Sequence, residues 1–387
     1  MSQIARSKRQ YAFVKLESQS GVLALPSSTD SVALAESLTS SQTPTYTDST
    51  EIQNTRGILE RYPDGLPAGD FDIKVIARPT GVATVPMGDP LFESLMGQKT
   101  INAGDVAYGQ ALEKPSFTIC YRKGHMVYYC LGATSHEMGV QVTKKGAVEL
   151  SFKGKFMQRI CMGDDNVATL SSAAQNQVFV ADAGRFMVGG YVYNPACAAN
   201  AGAADSNIGA QGYLITAIDR TNHILTLQDN LVFAWAVSEE VLGWLPATEK
   251  IGTSIMSKDS QIKINGALGK IKDMDLSIND PCQYLEDEIT GSAFPTEYVE
   301  GDRQISGSFK SYFRKEDSTK VAQGYSNEEL DLSLEFGSTV GTKMRIHLPR
   351  VPAEVPTEEE DGPSLVLSQS FTALETLGED SAVIYFE

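Results

Sequence analysis

Four residues able to bind a metal lie close together in the stretch ICYRKGHMVYYCLGATSH, residues 119–136: Cys120, His125, Cys130 and His136. Thiolate and imidazole are the ligands of protein zinc sites, so a tetrahedral metal centre is the first chemistry to consider. The local pattern is that of a hairpin. Phe117, Ile119 and Tyr121 alternate, Lys123-Gly124 reads as a two-residue turn, and 126–131 is rich in Val and Tyr. That turn pairs Arg122 with His125, Cys120 with Val127 and Phe117 with Cys130. Successive side chains in a strand point to opposite faces. Cys120 and His125 then share one face while Cys130 takes the other with Phe117, and ligands divided between two faces cannot close a tetrahedron. The stretch therefore reads as two half-buried thiols and a hydrogen-bonded histidine in a β-hairpin, with no metal and no cofactor.

The spacing Cys-x4-His-x4-Cys also matches the back half of a zinc knuckle, but the knuckle's first cysteine falls on Phe117. The sequence contains no G-x-S-x-G, no H-E-x-x-H and no G-x-x-x-x-G-K-[ST]. The nearest phosphate-loop fragment is Gly266-Ala267-Leu268-Gly269-Lys270-Ile271, which has an isoleucine where a hydroxyl is needed. His223 beside a polar turn and His347 within a strand read as structural. Asp164-Asp165 and the acidic run 358–361 read as solvated segments. A hydrolase would need two such carboxylates facing across a cleft. No catalytic residue is expected.

The chain has 387 residues, with 32 Lys plus Arg against 49 Asp plus Glu, a net charge of −17. That balance is poor for gripping nucleic acid, whose phosphates are held by Lys and Arg. Five cysteines imply no disulfide framework and a reducing folding compartment. The basic, polar start MSQIARSKRQ does not read as an export signal. The longest apolar run, 231–237, is too short to span a bilayer.

The elements that must position these residues are mostly strands. Alternating segments between Gly, Asp, Asn and Ser clusters predict strands near 11–17, 71–77, 117–122, 126–131, 147–156, 262–265, 271–278, 304–313, 330–336, 343–348 and 382–386. One short helix is predicted at 89–96, with Asp89 as its cap and Pro90 in its first turn. Two polar stretches break the pattern. One, 26–70, reads as a functional arm, and the other, 194–210, as a loop tip. The region 177–246 reads as its own small unit, with Trp235 and Trp244 filling its core. Gly132-Ala133 and Gly266-Ala267 each precede alternating strands, and both halves carry a long polar loop ending in a return strand. This hints at an internal duplication.

These segments carry a resemblance. RSKRQYAFVKLESQSGVLALP, GDFDIKVIARPTGVATVPMGDPLFESLMG, LEKPSFTICYRKGHMVYYCLGATSH and GAVELSFKGKF resemble the opening strand, strand–loop–helix, hairpin and following strand of the major tail tube protein of long-tailed, siphovirus-like bacteriophages. GDRQISGSFKSYF and GTKMRIHLPRVPAE with GPSLVLSQSFTALE resemble closing strands of a second such domain. The resemblance implies a mainly β protein of β-sandwich or half-barrel tube domains, each with a short flanking helix, plus a small inserted β unit. It places a first tube domain at 1–170 with its arm at 26–70, an inserted β domain at 171–248 and a second tube domain at 249–387. It implies a structural, non-enzymatic virion protein made in the host bacterial cytoplasm. Three two-domain chains would form a pseudo-sixfold ring, or six would form a hexamer. Rings would stack into a tube that passes DNA without specific binding and without a membrane. The implied partners are copies of the chain, the tape measure protein, the tail terminator and the tail tip proteins. Ring-to-ring contacts are expected in the arm at Arg56, Arg61, Tyr62 and Asp64. The alternatives are the tube of a contractile tail or secretion system, a capsid-decorating protein or other β-rich virion protein, and a β-rich carboxylate-dependent hydrolase.

Overall fold

The computed structural model describes residues 10–51, 57–58, 60–65, 67–142, 146–196, 211–286, 294–315 and 318–387. The chain divides into two compact units. One comprises Met1–Ser31, Thr118–Gly132 and Gln158–Glu249, and the other Val32–Phe117, Ala133–Met157 and Lys250–Glu387.

The first unit contains a closed barrel of six strands. They are Asp164–Thr169, Gln177–Val180, Tyr191–Tyr193, Tyr213–Asp219, Ile224–Leu227 and Glu240–Gly243. Closure removes free strand edges, which suits so small a sheet. Val178, Val180, Val192, Ile215, Leu225 and Val241 fill it at alternate positions. Trp235 is fully buried against Tyr213, with ring centroids 5.8 Å apart, and Trp244 is buried as well. Both tryptophans are thus core residues, as their position between strands implies. The expected hairpin is present, but its turn lies one residue further on. The strands run Phe117–Lys123 and from Met126, so Gly124-His125 forms the turn and Tyr121 stacks on Tyr128 at 4.8 Å. Gly124 takes φ +64° and His125 does not take a positive φ. Positive φ at the first central position alone is what a type II′ turn requires, and a turn at Lys123-Gly124 would ask it of lysine.

The second unit is a two-sheet sandwich. Its long sheet has eight strands. In chain order they are β1 (Thr39–Ser41), β2 (Gly69–Ile76), β3 (Met126–Val142), β4 (Glu149–Phe156), β5 (Asp273–Asn279), β6 (Gln304–Tyr312), β7 (Thr357–Asp361) and β8 (Ser364–Ala373). The C-terminal half of β3 belongs to this sheet; its N-terminal half lies in the first unit. The strands are laid side by side as β1-β2-β4-β3-β5-β6-β8-β7, every pair antiparallel. The second sheet runs Ala267–Gly269, Gln261–Ile264, Glu329–Phe336, Met344–Pro352, Val383–Phe386, Val106–Gln110 and Gly97–Ile101.

Helix α1 (Asp89–Met96) closes the sandwich. Its Phe92 meets Phe152 of β4 at 5.2 Å and, from the second sheet, Phe386 at 5.1 Å and Tyr108 at 5.5 Å. The contacts with Phe152 and Phe386 are edge-to-face, at 87° and 75°, and add to the burial of these rings. The helix spans the expected residues, but its N-cap is Gly88 in the left-handed conformation rather than Asp89. The Asp89 carboxylate is engaged elsewhere: it accepts from the Tyr108 hydroxyl at 2.5 Å and from Lys99 at 2.7 Å. A second helix, α2 (Ser318–Ser326), has no counterpart in the sequence reading. Its sequence STKVAQGYS has no apolar stripe, so helical periodicity does not reveal it. Gly132 lies in a strand and Gly266 in a turn, and both take a positive φ, +63° and +76°.

Candidate functional site

One face of the long sheet is apolar and the other polar, because side chains alternate along every strand. Phe71, Ile73 and Val75 of β2, Leu150 and Phe152 of β4, Met138 and Val140 of β3, Leu276 and Ile278 of β5 and Phe309 of β6 point into the sandwich and are buried. The residues between them form the opposite face. Cross-strand pairing lines these up in rows. One row is Lys74, Ser151, Gly139, Ser277, Ser306 and Thr372, and its neighbour is Glu149, Gln141, Asp275, Ser308 and Ser370. The centre of the face is thus paved with small hydroxyl side chains.

The charges on this face are unequal. Asp70, Asp72, Glu137, Glu149, Asp273 and Asp275 face four lysines, Lys74, Lys153, Lys155 and Lys310. Each lysine is held by a carboxylate: Lys74 by Glu36 at 2.8 Å, Lys153 by Glu137 at 2.7 Å, Lys155 by Asp70 at 3.1 Å and Lys310 by Glu359 at 2.7 Å. Glu36 and Glu359 hold the Lys74 and Lys310 ammonium groups above their ordinary pKa. Asp72, Glu149, Asp273 and Asp275 form no ion pair among the described residues. Such exposed pairs add little to stability. Their consequence is a face on which no lysine of the sheet is free and carboxylates remain in excess. Sequence alternation in DMDLSIN marked the strand, but only the registers show that these residues share one face.

The residues of the Cys/His stretch are not brought together. Cys120 is buried with Val127 and Tyr129 in the core of the first unit. His125, in the turn, places Nδ1 2.6 Å from an Asp164 carboxylate oxygen. Asp165 is buried, accepting from the Asp182 amide at 2.5 Å and lying 3.5 Å from Arg185. The Asp164-Asp165 pair is therefore committed to structural contacts. His223 accepts from the Ala183 amide, and His347 pairs with Asp331 at 3.1 Å. In the second unit His136 lies 2.8 Å from Cys282 Sγ and 3.0 Å from Thr134 Oγ1. Burial, helped by Lys114, lowers the His136 pKa to about 4. Burial also pushes the Cys282 thiol up to about 12. Both groups are neutral at pH 7, so this pair is not a thiolate–imidazolium nucleophile. Among the described residues no group of three or more His, Cys, Asp or Glu could hold a metal.

Beside His136 is a buried charge cluster that sequence did not reveal. Asp280 receives Lys114 at 2.5 Å and Arg303 at 2.7 Å, and Arg303 also reaches Glu379 at 2.8 Å. The Lys114 and Asp280 side chains are 1% and 3% exposed. These four residues are far apart in sequence, and no local signal marks them as partners.

The arm residues are placed in part. Residues 45–65 include a two-stranded hairpin, Thr45–Asp48 with Arg61–Gly65. Arg61 is exposed, 2.7 Å from Asp48 and over the Tyr46 ring. Tyr62 is exposed, with its hydroxyl donating to Glu60 at 3.0 Å. Asp64 belongs to the second strand of the hairpin, and Arg56 lies outside the described residues. No helix among the described residues is long and apolar enough to cross a membrane.

Comparison with known proteins places part of this architecture. Curated proteins give no significant match to the chain. Residues 253–373 match the family described as Phage tail tube protein. The matched segment, about a third of the chain, contains β5, β6, β7, β8 and α2 and ends on the last residue of β8. The chain therefore carries, over residues 253–373, a domain of the phage tail tube protein family.

Proposed function

We propose that the chain is the subunit of a phage tail tube, in which long sheets join edge to edge into rings and turn their polar face to the bore. The observation that carries this reading is that face, where every lysine of the sheet is neutralised and carboxylates remain. Duplex DNA carries about one negative charge per 1.7 Å. Free lysines on the wall would hold it by releasing its counterions, whereas paired lysines and surplus carboxylates leave it free to slide. The edge strand β7, which among the described residues pairs only with β8, supports assembly, because an unpaired edge is a liability that a ring removes.

On this reading the chain holds two tube domains, 1–170 and 249–387, and the inserted unit at 171–248 decorates the tube. Three chains then make a pseudo-sixfold ring. The arm at 26–70, with Arg56, Arg61, Tyr62 and Asp64, contacts the neighbouring ring. The tape measure protein occupies the bore before ejection, and terminator and tip proteins close the two ends. DNA then passes through into the host.

Electron microscopy of the purified protein over a concentration series tests this. Hollow rings or stacked tubes with three- or sixfold symmetry are expected. Compact monomers at every concentration, unchanged by adding a tail-tip extract, would overturn it.

A further inference from the structure

The buried charge cluster of the second unit holds two groups able to join covalently. The Lys114 ammonium nitrogen lies 2.5 Å from Asp280 Oδ2, and both side chains are buried. The contact is not aligned as a hydrogen bond, and the Lys114 nitrogen has no hydrogen-bond partner among the described residues. A lysine ammonium carries three N–H donors, and a buried charge is costly when its donors find no acceptor. Arg303 is placed differently. Its Nε donates to Asp280 Oδ2 at 2.7 Å, and its guanidinium also reaches Glu379 at 2.8 Å. Asp280 thus has a hydrogen-bonded charge partner in Arg303, while the donors of Lys114 are left unsatisfied.

Glu300 stands beside the pair, with a carboxylate oxygen 3.9 Å from the Lys114 nitrogen. Burial holds the Glu300 carboxyl above its ordinary pKa. That suits a group that must take up a proton and give it back. The two reacting residues are held in place by their surroundings. Asp280 directly follows β5, and its amide donates to the His136 carbonyl at 2.7 Å. Lys114 lies just past the strand Val106–Gln110 of the second sheet. Pro115 and Pro281 come directly after the two residues, and a proline restricts the backbone of the residue before it. Two groups fixed at contact distance react as though each were present at very high concentration.

We infer that Lys114 and Asp280 condense into an intramolecular amide, with Glu300 carrying the protons. The Lys114 nitrogen bonds to Asp280 Cγ, and the Cγ–Oδ1 bond breaks. Oδ2, held by Arg303, becomes the amide oxygen, and the guanidinium stabilises the negative charge it bears in the tetrahedral intermediate. Of the three ammonium hydrogens, one stays on the amide nitrogen. The other two leave with Oδ1 as water, relayed by the Glu300 carboxyl. An ammonium and a carboxylate thus become a neutral amide and one water, with no oxidant, cofactor or further reactant.

The ionic cluster is the state of the chain before the bond forms. The bond removes the unsatisfied ammonium, and Arg303 keeps Glu379 as its charge partner. It ties the long sheet, at the end of β5, to the segment that leaves the second sheet after Gln110. A cross-link between positions this far apart in sequence strongly restricts the unfolded chain. The inference does not depend on the tube reading.

Mass spectrometry of the intact, purified full chain tests this. The unsubstituted protein is expected to be lighter than its sequence by the mass of one water. Lys114→Ala and Asp280→Ala should each keep the full mass of their own sequences, and Glu300→Gln should contain a smaller linked fraction. Digestion and fragmentation of the unsubstituted protein should yield a branched peptide that joins Lys114 to Asp280. Folded, unsubstituted protein that keeps its full sequence mass through days of incubation would overturn the inference. So would a water lost within one linear peptide, as from a cyclised aspartate. A linked fraction in Glu300→Gln equal to the parent's would overturn the role given to Glu300. Should a substitution prevent folding, the mass and the branched peptide of the unsubstituted protein decide by themselves.

Discussion

Lysines freed on the polar face should turn an indifferent surface into a DNA-binding one. Glu36→Gln, Asp70→Asn and Glu137→Gln together remove the partners of Lys74, Lys155 and Lys153. All three lysines lie on neighbouring strands β2 and β4. Three phosphate contacts would give a slope near −3 in log K against log salt, since each contact contributes about 0.9. Affinity for a short duplex should then fall about 40-fold between about 50 and 200 mM salt, on the same counterion-release relation. The unassembled protein and its triple variant are compared by fluorescence anisotropy with labelled duplex across that range. The ion pairs are exposed, so the variant should unfold at the same denaturant concentration as its parent. Salt-dependent binding by the parent with the same slope, or no gain by the variant, would refute the idea that pairing keeps the wall from gripping DNA.

Acid should weaken the second unit before ordinary carboxylates titrate. The buried His136 has a pKa of about 4, below the roughly 6.5 of an unfolded histidine. The unfolded chain therefore binds more protons between those values. The stability is intact above about 6.5, declines as pH falls and loses on the order of 3 kcal/mol by about pH 4. Urea titrations at pH 7 and pH 5 should show the loss, and His136→Gln should flatten it; a parent midpoint constant over that range would exclude the effect. Asp280→Asn should cost about 3–5 kcal/mol, because it leaves Lys114 and Arg303 buried beside a neutral group. A denaturant midpoint unchanged from the parent would count against a buried ionic role. Arg61→Glu should impair tube growth in light scattering without moving the thermal midpoint of the monomer, because Arg61 and Asp48 are both on the surface. A lowered midpoint would mean that the hairpin supports the fold instead.

The strands and α1 were legible in the sequence because their signals are local. Alternation in FDIKV and DMDLSIN marks β2 and β5, and Pro90 followed by buried residues marks α1. Even there, details went to tertiary demands. Asp89 gave up its expected capping role for Tyr108 and Lys99, and the hairpin turn shifted by one residue so that Gly124 takes its first central position, where a positive φ costs glycine less than lysine. Helix α2 lacks an apolar stripe and left no periodic trace.

By itself the sequence determined the class of structure: period-two segments, an acidic surplus and no catalytic constellation. The tertiary structure decided what those segments amount to. Lys153 finds Glu137, Phe71 covers Gly154, and Lys114 and Arg303 converge on Asp280 across long separations in the chain. Register is a relation between strands. It assigns every alternating residue to one face and one row, and neither the composition nor the period of a single strand contains it.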